Sequence, residues 1–167
     1  MTIYFWDIET SSLEPFEPQA RVTIIGVMSE AEEVIFFDDP DEKKLLEAFW
    51  GWVKEHSQDT LVGFNSHSFD YKYLVKRSIV CDVKPYLPFR FKNFDLRNAI
   101  DDNRYAKGSL QDICVLINGE KKYEGLEGEQ VIKLFHDGDY KTLRLYLTQD
   151  LNLTRILWDR LKKVEVI

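Results

Sequence analysis

Apolar residues run unbroken over positions 3–6 and stop at Asp7, after which Ile8 separates two carboxylates, Asp7 and Glu9. The run predicts a buried strand. Side chains alternate along a strand, so Asp7 and Glu9 project from one face near its end. Positions 11–20 are polar and hold Pro15 and Pro18, the composition of a loop. Two β-branched runs, 21–28 and 33–37, flank a polar turn at 29–32 and predict an antiparallel meander with the first strand. The period then changes. Leu45, Leu46, Phe49, Trp50 and Val53 recur at helical spacing over about 41–56, behind an acidic entry suited to a helix N-terminus. Positions 61–64 form a short apolar run, a strand that follows a crossover helix and is therefore expected parallel to its neighbour.

A polar turn at 65–68 leads into a helix over 69–80. The proline-containing stretch 82–93 reads as irregular, and 93–96 as a last short strand with a helical turn to about 103. Ser109 is a good N-cap for a helix over 110–117. Asn118-Gly119-Glu120 breaks that helix, and 129–135 forms another. The final helix spans about 139–163, with Leu143, Leu147 and Leu151 in one i, i+4 row and Leu157 and Leu161 in a second. Neither repeats nor a linker interrupt the pattern, so one domain over 1–167 is expected. A meander followed by crossover helices makes it α/β.

Composition adds little to this picture, and charge somewhat more. At 167 residues and 44% hydrophobic, the chain can bury a substantial core. No apolar run approaches the ~20 residues of a membrane span, and the first residues lack a signal-peptide layout. A cytoplasmic protein without membrane attachment is expected. Cys81 and Cys114 lack paired spacing and read as free thiols. The net charge of −7 is unevenly spread: residues 1–70 carry 4 basic and 15 acidic side chains, residues 71–107 carry 9 and 4. In that basic stretch lysines and arginines, Arg77 among them, interleave with aromatics. Two readings stay open there: a surface that tracks a phosphate backbone and stacks bases, or a solvated basic face over core aromatics.

Buried carboxylates are costly without compensation, so Asp7 and Glu9 on one face suggest a cation. Partners for them belong at element ends. Asp70 opens a helix after the run at 61–64. Asp150 lies within the last helix beside Leu147 and Leu151, with Tyr146 one turn earlier on the same face. Singly, each has a plain structural reading: a solvated strand end, a dipole-favoured first turn, an ion pair, a core tyrosine.

Together they carry a resemblance. Asp7-Ile8-Glu9, Asn65-Ser66-His67-Ser68-Phe69-Asp70 and Tyr146-Leu147-Thr148-Gln149-Asp150 resemble, in order, the three motifs of the DEDDy 3′→5′ exonucleases. Those motifs read Asp-x-Glu, Asn-x₂₋₃-Phe/Tyr-Asp and Tyr-x₃-Asp. Gly63-Phe64 before the second motif and Gln149 before the last aspartate are similar to the exonuclease domain of family-B DNA polymerases, here as a stand-alone protein, over about positions 3–161. The sister histidine type carries His five residues before the last aspartate. That position is Leu145, and Tyr146 sits four before, so the resemblance is to the tyrosine type.

The resemblance implies a ribonuclease H-like fold with a mixed central sheet, antiparallel meander plus parallel strands, flanked by helices. It implies a 3′→5′ exonuclease acting on the 3′ end of single-stranded nucleic acid, DNA favoured, and releasing nucleoside 5′-monophosphates in a proofreading or repair role. A ribonuclease trimming RNA 3′ ends and a non-catalytic binding or editing subunit are the alternatives. Two divalent ions, Mg²⁺ or Mn²⁺, are implied, and hard oxygen ligands suit both. By resemblance Asp7 bridges the ions, Glu9 and Asp150 complete the water-activating site, and Asp70 supports the second ion. Tyr146 orients the attacking water. Thr10, Asn65 and Phe69 hold the 3′ end, and Lys107 corresponds to a lysine near the scissile phosphate. A polymerase does not fit in 167 residues, so a free-standing exonuclease or a detached editing subunit is expected, with a polymerase or other replication or repair protein as its partner. His67 reads as a turn residue, His56 and His136 as surface.

Overall fold

The opening apolar run becomes the middle of a sheet. A computed structural model describes residues 1–101, 108–118 and 128–167. Its strands are β1 (Ile3–Thr10), β2 (Val22–Ser29), β3 (Val34–Phe37), β4 (Thr60–Gly63) and β5 (Asn93–Asp95). Its helices are α1 (Glu42–Glu55), α2 (Asp70–Val80), α3 (Leu96–Ile100), α4 (Leu110–Asn118), α5 (Gly128–His136) and α6 (Tyr140–Lys163), with a 3₁₀ turn at Leu87–Phe91. The strand order is β3-β2-β1-β4-β5. β1–β2 and β2–β3 pair antiparallel, β1–β4 and β4–β5 parallel, as the meander and crossover pattern predicts.

β1 is apolar on both faces because both faces are covered. Trp6 and Ile8 belong to a cluster with Leu45, Leu46, Phe49, Trp50 and Val53 of α1 and Tyr73 and Leu74 of α2. Phe5 faces the other way, into a cluster with Leu151, Leu153, Leu157 and Leu161 of α6. The five buried apolar side chains of α1 contribute about 1.5–3 kcal/mol each on burial. Helix starts follow sequence signals. Asp41 accepts from the Lys43 amide, Asp139 from the Thr142 amide, and Ser109 and Asp112 bond each other's amides in a reciprocal cap.

Two features of the sheet shape the region beyond Trp6. Along β1, β4 pairs with Ile3–Phe5 and no further, so β1 outruns this parallel neighbour. On the other side, the β1–β2 register slips between Glu9 and Thr10, passing over Thr23. Such a bulge re-aims side chains at a strand end. Among the described residues no helix is long and apolar enough to cross a membrane.

Two side chains differ from what their place in the pattern suggests. Arg77, counted in the basic stretch for which the phosphate-tracking and solvated-face readings are both open, is buried and holds Glu42 through Nε and Nη2 at 3.0 and 2.7 Å, while Nη1 donates to the Pro15 carbonyl at 2.8 Å. Tyr73 and Phe89 of the same stretch are core residues, and Lys72, Lys76, Lys84 and Arg90 are exposed. The solvated-face reading fits these residues. A long cationic side chain and an adjacent buried acid are indistinguishable from surface charges in a linear pattern. His56 is half-buried, not a surface residue: it stacks on Trp52 with ring centroids 4.1 Å apart and meets Tyr4 edge-on.

The Arg77–Glu42 pair also takes in the Val22 amide, which donates to Glu42, and so joins α1, α2, β2 and the 11–20 loop. Removing one partner leaves a buried, uncompensated charge. Arg77→Ala is expected to destabilise the protein by about 3–5 kcal/mol in urea unfolding. The double replacement Arg77→Met/Glu42→Leu is expected to cost clearly less in the same measurement.

Candidate active site

Where β1 outruns β4, its last residues meet two helices, α6 and α2. Asp7 and Glu9 follow Phe5 on the α6 face of the strand, and α6 lays Asp150 against them. One carboxylate oxygen from each of Asp7, Glu9 and Asp150 lies within 4.8 Å of the other two. Asp150 is buried, and the two β1 acids are half-buried.

Asp70 joins this group from the first turn of α2. Its carboxylate accepts from its own amide and from that of Ile8, on the edge of β1 that β4 leaves open, and it is hydrogen-bonded to the Asp7 side chain. Burial pushes the Asp70 carboxyl up to about 7, and the Asp95 carboxylate nearby adds to the rise. The structure thus brings together all four predicted acids. Their oxygens are hard donors without cysteine or histidine among them, which fits Mg²⁺ or Mn²⁺ and not a zinc constellation.

Tyr146 is buried one turn before Asp150 on α6, packed with Val131 and Leu143. Thr10 ends β1. Its hydroxyl donates to the Ser12 carbonyl at 3.0 Å, and it contacts the Tyr73 phenol, which burial pushes up to about 12. Asn65 occupies a left-handed conformation, φ 61°, at the tip of the loop before α2. Phe69 packs against the α1–α2 core and over Tyr73 with centroids 5.5 Å apart, so its ring has a structural task whatever else it does. Lys107 lies outside the described residues.

Sequence reasoning missed what holds the 65–70 loop. Asp95, buried at the end of β5, accepts from the amides of Asn65 and His67 at 2.8 and 2.9 Å and also caps α3 through the Arg97 amide. Asn93 accepts from Trp6 Nε1 and Ser66 Oγ. His67 Nε2 lies 2.7 Å from the Asn93 carbonyl and Nδ1 lies 2.9 Å from the Asn98 amide nitrogen. Those partners place the ring hydrogen on Nε2 and make His67 a strut between loop and sheet, matching its reading as a turn residue. The Asp-Leu junction at 95–96 was the available signal, an N-cap ahead of an apolar helix. A groove of about 690 Å³ between α1 and residues 83–88, floored by Trp50 and Tyr86, is lined by none of the predicted site residues.

A family model described as the RNase H superfamily matches residues 4–160. The DNA polymerase of Archaeoglobus fulgidus is 21% identical over 168 residues, covering 90% of this chain and 21% of that protein. DNA polymerase 2 of Aeropyrum pernix is 32% identical over 88 residues, 50% of this chain and 11% of its own length. The chain therefore spans about a tenth to a fifth of these relatives. In three dimensions it is similar to the family B DNA polymerase of Pyrobaculum calidifontis, with a TM-score of 0.79 and 22% identity over 99% of this chain and 25% of that one. This likeness shows the fold.

The raised Asp70 carboxyl gives a pH prediction. Between about pH 4 and 7 the unfolded chain has released the Asp70 proton while the folded, metal-free chain keeps it. Stability in chelator is therefore expected to fall as pH rises through that window and to level off above it. Asp70→Asn removes this component, so thermal unfolding across pH is expected to show a flatter profile for the variant. Millimolar Mg²⁺ is expected to reverse the slope for the wild type, because the ligand form is the deprotonated one.

Proposed function

We propose that this chain, which belongs to the RNase H superfamily, is a divalent-metal-dependent nuclease of the tyrosine DEDD type. It removes nucleotides from the 3′ end of single-stranded nucleic acid, DNA in preference to RNA, and releases nucleoside 5′-monophosphates. The observation that carries the reading is the convergence of Asp7, Glu9 and Asp150 within 4.8 Å, with Asp70 bonded to Asp7.

Asp7, Glu9, Asp70 and Asp150 would hold two Mg²⁺ or Mn²⁺ ions, which when bound would supply acidification of the attacking water and neutralisation of charge on the phosphate and the departing oxygen. The chain's own residues supply position. Tyr146, on the face of α6 that carries Asp150, orients the water through its hydroxyl. Orienting a water needs no loss of the phenol's own proton, so orientation is its contribution. Thr10 and Asn65 bond the terminal sugar and phosphate, and the Phe69 edge bounds the terminal base. Glu9 and Asp7 are held still because Ile8 between them is locked in the α1–α2 core.

DNA polymerases are the relatives found, which supports DNA over RNA as substrate and a polymerase or repair protein as partner. The assay is a 5′-labelled strand, DNA or RNA, single or double, with Mg²⁺, Mn²⁺ or chelator. A ladder that shortens from the 3′ end of single-stranded DNA, and disappears in chelator, is expected. Internal cuts, or activity undiminished by chelator, would overturn the reading. Asp7→Ala is expected to lower turnover at least ~10³-fold while circular dichroism stays native, in line with the loss of a metal-held nucleophile and charge clamp. Tyr146→Phe is expected to lower turnover by about 10²-fold, in the range for a group that positions a proton, with Mn²⁺ affinity unchanged.

A further inference from the structure

One residue of β2 sits at this site without an evident reason in strand propensity. Gly26 is directly opposite Asp7 in the antiparallel β1–β2 pair. Opposed residues share a face, so a side chain at position 26 would stand beside the Asp7 carboxylate and point at α6. The flanking residues on that face, Ile24 and Met28, are large and fully buried. Glycine weakens a strand interior by its backbone entropy and its lack of packing. Gly26 is not among the positive-φ glycines, so its conformation does not demand glycine either.

The space is filled from the helix side. A Cβ on Gly26 would lie 2.8 Å from Leu147 Cδ2, 2.9 Å from Leu147 Cγ and 3.0 Å from Leu151 Cδ1. Carbon atoms pack at about 3.5–4.0 Å. Leu147 and Leu151 are fully buried one turn apart on α6, with Asp150 between them in the chain. Leu147 Cγ is only two bonds from the helix backbone, and full burial leaves both leucines little room to repack, so an outward shift of the helix relieves the clash. The same shift would draw Asp150 away from Asp7 and Glu9.

We infer that Gly26 is a positioning residue for the metal site: its missing side chain lets α6 lie deep enough on the sheet for Asp150 to share an ion with Asp7 and Glu9. This rests on the proposed reading of those carboxylates as ligands, and it adds a determinant that touches neither metal nor substrate. Ion size supplies a readout that mere destabilisation would not move. Mg²⁺ demands near-ideal geometry at about 2.0–2.1 Å, whereas Ca²⁺ accepts about 2.3–2.6 Å in flexible arrangements.

The test is calorimetric titration of the full chain with Mg²⁺ and with Ca²⁺, for wild type, Gly26→Ala, Leu147→Ala, Gly26→Ala/Leu147→Ala and Gly51→Ala. Gly26→Ala is expected to weaken Mg²⁺ binding about 10- to 100-fold, the range for residues that orient metal ligands, and Ca²⁺ binding by distinctly less. The double variant is expected to return to the Mg²⁺ affinity of Leu147→Ala alone. Gly51→Ala, whose Cβ meets nothing within 4 Å, should match the wild type. Should Gly26→Ala fail to fold, the double variant decides: a folded protein with Leu147→Ala affinity supports the inference, and one that stays unfolded or binds Mg²⁺ clearly more weakly than Leu147→Ala overturns it. Unchanged Mg²⁺ affinity in folded Gly26→Ala, or equal losses for both ions, likewise overturns it. Absence of binding of either ion by the wild type would instead sink the metal-site reading itself.

Discussion

Like charges held close together are the constraint on which this structure turns. Asp7 and Glu9 come from the first strand, Asp150 from the last helix, Asp70 from the start of α2. Two unit charges about 4 Å apart repel by roughly 4 kcal/mol at the effective dielectric of a partly exposed protein site. Because each element brings its own acid, that repulsion acts on the packing itself and pushes α6 and α2 away from β1. The leucine row of α6 and the α1–α2 core oppose it. Asp70 is relieved by a raised pKa and by the Ile8 amide. A divalent ion would convert the same arrangement from repulsion to attraction, so a metal at this position would act as a structural tie as well as a reagent.

The geometry that creates the site is a mismatch in strand length. Had β4 continued alongside β1 past Phe5, the Ile8 amide would be spent on a ladder hydrogen bond and Asp70 would have no place at the edge. The chain instead leaves β4 at Gly63, turns through Asn65 with φ 61°, and enters α2 in time to present Asp70. Asp95 and Asn93 of the neighbouring strand fix that turn with four hydrogen bonds. The opening lies where β1 changes from an antiparallel to a parallel neighbour, at the carboxyl ends of the parallel strands, which is where α/β sheets commonly leave a crevice.

Elements with strong periodicity were legible from the chain alone. β1, α1 and α6 fall within a residue or two of their patterns, and the acids were visible because Asp-x-Glu on a strand and Asp150 beside buried leucines are anomalous in such contexts. What the pattern did not carry was pairing between distant side chains. Arg77 looks like any surface cation until Glu42 and Pro15 are seen around it, and His56 looks exposed until Trp52 stacks on it. Asp95 resembles an ordinary helix cap, and its second task, holding amides 28 and 30 residues away, has no local signature. Gly26 was hidden for the opposite reason: a glycine in an apolar strand says that something approaches, but not what.

The site draws its parts from β1 and from α6, far apart in sequence, and this orders events in time. A ribosome delivers Asp7 and Glu9 about 140 residues ahead of Asp150, at about 5–20 residues per second. The sheet partners β2, β3 and β4 can engage β1 while α6 is still being made, but α6 docks only after nearly all else is in place. Until then the early acids face water, well separated from their late counterpart. The proposed ion site is thus complete only once α6 has docked on the sheet.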